Sequence, residues 1–129
     1  MLFIDKLSGK PVYEQVVDGI ERGILLGIYP PGGQVPSLRE LSQSLGINPN
    51  TIQKSYAELT RRGVICPSPG SGCYVAHDAK ERLRERARKR LLELEALAAE
   101  LYAAGLDEHE LTEAVKAACN KPKEGGQDL

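Results

Sequence analysis

Five polar side chains, Asn48, Asn50, Thr51, Gln53 and Lys54, fall within seven consecutive residues of this chain. Asparagine and glutamine amides donate and accept side by side, which matches the edge of adenine in a DNA groove. A threonine hydroxyl at a helix start and a lysine ammonium suit phosphate oxygens. This is the chemistry of reading a nucleic acid. Catalysis would need convergent acids, bases or nucleophiles, whereas His77 and His109 lie in different segments. No glycine-rich phosphate loop, His-Glu-x-x-His or nucleophile elbow is present. Neither an enzyme activity nor a cofactor is expected, and no cysteines or histidines stand at metal-ligand spacing.

The elements that must hold those residues are legible around them. Ser37 and Glu40, three apart, form a capping box that starts a helix with Leu38, Leu41 and Leu45 on one face. Gly46 supplies a left-handed stop. Asn48 is a second N-cap, and Pro49 occupies the first helical position, where no backbone donor is needed. Ile52, Tyr56 and Leu59 carry the second helix to Gly63. A short helix, a glycine turn and a capped helix with a polar first turn make a helix-turn-helix, whose second helix enters the major groove. Val64–Cys66 and Cys73–Val75 then read as two short strands around a turn-rich tip, Pro67-Ser68-Pro69-Gly70-Ser71-Gly72. Helix, turn, helix and hairpin give a winged helix whose narrow tip can approach a sugar-phosphate backbone or minor groove.

Residues 13–76 resemble the DNA-binding domain of the GntR family of bacterial transcription regulators. The matching segments are Tyr-Pro-Pro-Gly-Gly-Gln-Val-Pro-Ser-Leu-Arg-Glu-Leu at 29–41, Leu-Gly-Ile-Asn-Pro-Asn-Thr at 45–51 and Gly-x-Gly-x-Tyr-Val at 70–75. The run Asn-Pro-Asn-Thr-Ile-Gln-Lys with a short tail behind it is similar to the YtrA subfamily. The resemblance implies a homodimeric transcription regulator, a repressor, that binds a pseudo-palindromic operator in double-stranded DNA. It also implies that Arg39, in the first turn of its helix, reaches DNA; a bidentate contact to guanine would be worth ~1–3 kcal/mol of discrimination. The DNA-contacting set expected is Ser37, Arg39, Asn48, Asn50, Thr51, Gln53 and Lys54, with Ser68, Gly70, Ser71 and Gly72 of the wing. Two positions often arginine in the family are Pro49 and Gln53 here, so the preferred bases should differ from those of arginine-rich members. Family wings usually carry basic residues where this chain has Ser68, Pro69 and Ser71, so a charged wing–phosphate contact is not expected.

Around this centre the chain is 129 residues long with a formal net charge of −1. Near-neutrality argues against a non-specific nucleic-acid coat. It also keeps open a rival reading, in which the winged helix docks a protein as an interaction adaptor. No run is apolar enough to span a bilayer and no secretory signal is visible. Three cysteines without metal spacing suggest a reducing cytoplasm. Cys66 and Cys73 can face each other across the hairpin, either as a redox or metal switch or, as is commoner, as small apolar strand residues.

The fold expected is mainly α with a small β wing: a winged helix-turn-helix domain over 1–77 and a two-helix dimerisation tail over 78–119. Residues 120–129 are polar and read as disordered. Leu2, Phe3 and Ile4 suit an edge strand or a packed arm. After Pro11, Tyr13, Val16, Val17, Ile20, Ile24 and Leu25 form a core-facing helical stripe, with Glu14, Asp18, Glu21 and Arg22 on the solvent side. His77 and Asp78 open one long helix to about Tyr102. Its residues Leu83, Ala87, Leu91, Leu94, Ala98 and Leu101 make a coiled-coil seam at spacings of four, four, three, four and three. Asp107 and Glu110 cap a last helix. Two helices are too few for a core of their own, so the seam must be covered by a second copy or by the chain's own winged helix. A small-molecule effector is left open; its site would lie between two tails or between tail and winged helix. The basic run at 80–90 reads as a solvated face or as a weak electrostatic aid to DNA binding.

Overall fold

The computed structural model describes residues 2–121. Six helices and one hairpin follow one another: α1 (Val12–Leu25), α2 (Leu38–Leu45), α3 (Pro49–Arg61), β1 (Ile65–Ser68), β2 (Gly72–Val75), α4 (Ala79–Lys89), α5 (Leu91–Ala103) and α6 (Glu108–Cys119). The arrangement is a winged helix followed by three further helices. The expected disorder of 120–129 falls mostly on residues 122–129, outside the described residues.

Helix α1 forms the back wall of the core. Val16, Val17, Ile20 and Ile24 are fully or almost fully buried against α3 and its neighbours, while Leu25 is exposed at the end of the stripe. Leu2 and Ile4 pack against this core as an arm, not as a strand, with Leu2 seated over Gly19. The capping boxes form at both expected places, Ser37–Glu40 and Asp107–Glu110. Helix α2 stops at Gly46, whose φ of 65° is the left-handed conformation that glycine adopts without penalty.

The wing is tied to the core by a third extended piece. Val35 N–H donates to the Cys73 carbonyl (3.0 Å), Val75 N–H to Gly33 (2.8 Å) and Gly32 N–H to Val75 (2.9 Å), with Gln34 bridged to Tyr74. In the hairpin itself Cys66 pairs with Tyr74 and Pro67 with Cys73. The two cysteines are therefore offset by one residue and stand on opposite faces, so they do not face each other across the wing. Burial raises the pKa of the Cys73 thiol, which keeps it protonated.

Three expectations need correction. Glu21 is not on the solvent side: it is 6% exposed, between Val17 and Ile24 in the spacing of a core stripe, because two arginines reach it from other helices. The long helix is broken at Arg90, where the N–H bonds back three residues to Ala87 and tightens the turn. Leu83 does not belong to a free seam. Together with Ala79 it is buried in the winged-helix core, against which α4 packs through α1. The reason is geometric: α4 is held on the domain by its first two turns, and the chain is released from it only beyond Arg86. Of the remaining seam, Ala98 and Leu101 are half-buried, and Ala87, Leu91 and Leu94 are exposed.

Candidate nucleic-acid interface

Helix α3, the candidate recognition helix, is set by its buried face. Ile52, Ser55, Tyr56 and Leu59 of α3 are inside. The Ser55 hydroxyl donates to the Tyr13 carbonyl of α1 (2.9 Å), and the Tyr56 hydroxyl donates to the Pro36 carbonyl (2.5 Å). Burial pushes the Tyr56 hydroxyl far above the ordinary tyrosine pKa, so it stays a donor. These two bonds fix α3 against α1 and against the loop before α2. With that face locked, helical periodicity turns Asn50, Gln53 and Lys54 outward, and all three are exposed.

The sequence-expected residues then divide by what they already do. Asn48 is exposed, and its carboxamide oxygen accepts the Asn50 N–H (2.8 Å), which starts the helix. Its amide nitrogen remains available on the same edge. Thr51 is half-buried. The Lys54 ammonium lies 3.9 Å from the centre of the Tyr13 ring, a cation–π contact that holds it over α1. Arg39 is exposed in the first turn of α2. Ser37 is half-buried: its hydroxyl accepts the Glu40 N–H (3.0 Å), and its own N–H donates to the Glu40 carboxylate (3.2 Å).

At the wing tip Ser71 N–H donates to the Ser68 carbonyl (2.9 Å), with Pro69 and left-handed Gly70 (φ 77°) between them, the pattern of a type II turn. Ser68 and Ser71 are exposed, but the Ser71 hydroxyl is joined to the Tyr74 hydroxyl. Gly72 has φ 119°, and a Cβ there would lie 2.5 Å from the Gln34 side-chain nitrogen. That nitrogen donates to the Ser71 carbonyl (3.0 Å) and braces the tip from the third extended piece. The tip offers hydroxyl and backbone groups and no side-chain charge.

Sequence reasoning missed the charge network behind the recognition helix. Arg62 reaches Glu58 (2.7 Å) and Glu21 (3.1 Å), Arg61 reaches Glu58 (2.5 Å), and Arg86 of α4 reaches Glu21 (2.6 Å). The hydrogen bonds from Arg61 and Arg62 hold the Glu58 pKa down at about 2. Arg61 and Arg62 are thus committed to ion pairs in addition to any compensation of the helix dipole. A cleft of about 450 Å³ lined by Arg61, Arg62, Arg82, Glu85, Arg86 and Lys89 lies between α3 and α4. The signal available in the sequence was the spacing Val17, Glu21, Ile24, which puts a carboxylate on the buried stripe.

Among the described residues no group of His, Cys, Asp and Glu could hold a metal ion, and no helix is long and apolar enough to cross a membrane. The model of the bacterial regulatory proteins, gntR family, matches residues 12–75, the span from α1 to the end of the wing. The chain is 38% identical over 117 residues to the HTH-type transcriptional repressor YtrA of Bacillus subtilis, covering 90% of each chain. A GntR family transcriptional regulator from Listeria monocytogenes superposes with a TM-score of 0.73 at 34% identity, covering 88% of this chain and 98% of that one. The AraR DNA-binding domain in complex with operator ORX1 superposes with a TM-score of 0.53 at 34% identity, over 58% of this chain and 93% of that one.

Proposed function

Since this chain belongs to the GntR family of bacterial regulatory proteins, we propose that it is a homodimeric transcriptional repressor that binds a pseudo-palindromic operator. The observation that carries the reading is the outward edge of α3. Asn50, Gln53 and Lys54 are presented to solvent by a helix whose opposite face is locked by Ser55 and Tyr56. A helix positioned so firmly can hold amide groups at the registry that adenine edges require, and Arg39 from α2 adds a guanine-directed fork. The N-terminal end of α3 and Lys54 take phosphates. At the wing, the uncharged tip approaches the backbone through hydroxyl and N–H groups.

Two copies are needed because one head reads only a half-site. Leu91, Leu94 and Leu97 of α5 are 56%, 46% and 51% exposed, an apolar surface that a second tail would cover. Half-site centres would then lie one helical turn apart, ~34 Å, for entry into successive major grooves. The comparisons support this reading through a relative named as a repressor and a relative's domain bound to its operator.

Selection of binding sites from random duplex DNA with purified protein tests it. The expected result is one inverted repeat, retained at moderate salt. Binding with no sequence preference would overturn it in favour of a protein-docking adaptor.

A further inference from the structure

This inference rests on the homodimer proposed above and concerns how the two copies face each other. Charge is segregated along the helices after the wing. Residues 80–90 carry seven Lys/Arg against two Glu, whereas residues 91–115 carry seven carboxylates and no Lys or Arg. Much of each set is neutralised locally: Arg82 by Asp78, Arg86 by Glu21, Arg88 by Glu85, and Glu93 by Arg90. Asp107 and Glu110 are used in the last capping box. Among the described residues this leaves Lys80, Arg84 and Lys89, with the single acid Glu81, on α4, and Glu95, Glu100 and Glu108 beyond it, without an ion pair.

Arg84 and Lys89 are too far along the chain from Glu100 and Glu108 to pair with them within one copy. Helix α5 has 13 residues and is therefore about 20 Å long. Arg84 lies before its start and Glu108 beyond its end. The same helix exposes Leu91, Leu94 and Leu97, so the surface that separates the charges is also the one that needs covering.

We propose that the two tails pair antiparallel, with basic α4 of each copy beside the acidic α5–α6 turn of the other. A two-fold axis near Ala96, close to the middle of α5, would cover both apolar surfaces and set Glu108 opposite Arg84, with Glu100 within one helical turn of Lys89. It would also bring Glu100 and Glu108 of each chain alongside Lys89 and Arg84 of its partner, twice. A parallel pairing sets cation against cation and carboxylate against carboxylate. Flanking charges choose orientation in this way when the apolar surface alone does not.

The test is sedimentation equilibrium of the full chain and of three variants, E100K/E108K, R84E/K89E and the quadruple R84E/K89E/E100K/E108K. All four positions are exposed, and helix content by circular dichroism checks that each variant folds. Each double variant is expected to weaken the dimer about tenfold or more at low salt, and the quadruple variant to recover it, since its reversed charges again meet opposites. The wild-type dimer is expected to weaken as salt shortens the screening length from about 30 Å at 0.01 M to about 3 Å at 1 M. In a parallel dimer both double variants and the quadruple would match the wild type, and that result would overturn the orientation while leaving the homodimer intact. Recovery failing in the quadruple variant would also overturn it. A wild type that is monomeric at every salt concentration would instead overturn the homodimer itself.

Discussion

Glu21 and Arg86, 65 residues apart in the chain, are joined by a 2.6 Å contact between Oε1 of the carboxylate and a guanidinium nitrogen. The same carboxylate takes Arg62 at the end of the recognition helix. One buried acid on α1 thereby ties together α3, the helix proposed to read DNA, and α4, the helix that leads to the tail. The placement of α4 relative to α3 is set at this point, before the break at Arg90.

Replacing Glu21 with Ala should therefore destabilise the domain by about 1.5–3 kcal/mol, the range for hydrogen bonds to charged groups. The lower part of that range applies because the Arg86 side chain is 44% exposed and regains water. Chemical denaturation gives the value. A loss below ~0.3 kcal/mol would show that the two arginines need no shared acid.

Replacing both Leu91 and Leu94 with Lys should give monomers whose winged helix is intact, because neither side chain enters the core. Operator affinity should fall steeply, since two half-sites would no longer be held by one particle. Sedimentation identical to that of the unmodified chain would remove α5 from the interface.

Arg39→Ala and Gln53→Ala should lower affinity mainly on the preferred operator and flatten discrimination at one position per half-site. Lys54→Ala should weaken all sequences alike and reduce the salt slope by about 0.9 per phosphate contact, roughly 1.8 for a symmetric dimer. Because Lys54 is also stacked on Tyr13, Tyr13→Leu should produce a weaker version of the same uniform loss. Salt titrations on operator and scrambled duplexes read all four variants. Sequence preference altered by Lys54→Ala, with uniform loss from Arg39→Ala, would exchange the two roles.

Acid should act through Glu58. Its pKa is lowered from 4.5 to about 2 by the hydrogen bonds from Arg61 and then Arg62. A depressed carboxylate contributes stability above its unfolded pKa and loses it as pH falls through the folded value. The thermal midpoint of the unmodified chain should therefore fall faster between pH 4.5 and pH 2 than that of Glu58→Gln. Parallel curves for the two proteins in that window would discount the Glu58 pairs.

What the sequence alone determined is local. Capping boxes at Ser37–Glu40 and Asp107–Glu110, the Asn48-Pro49 helix start and the glycine stops depend on neighbours a few residues away, and each formed as read. The stripe of Ile52, Tyr56 and Leu59 likewise determined which side of α3 faces out. Tertiary structure decided whatever depends on partners far along the chain. Glu21 looked like a surface acid until Arg62 and Arg86 were brought to it. Leu83 fitted a helical seam by spacing, but spacing cannot tell a partner's surface from the chain's own core, and α1 claimed it. Gln34 gave no local sign of bracing Ser71, 37 residues away. Short-range hydrogen bonding is encoded by adjacent residue types, whereas long-range burial is shared among elements and is settled only when they pack.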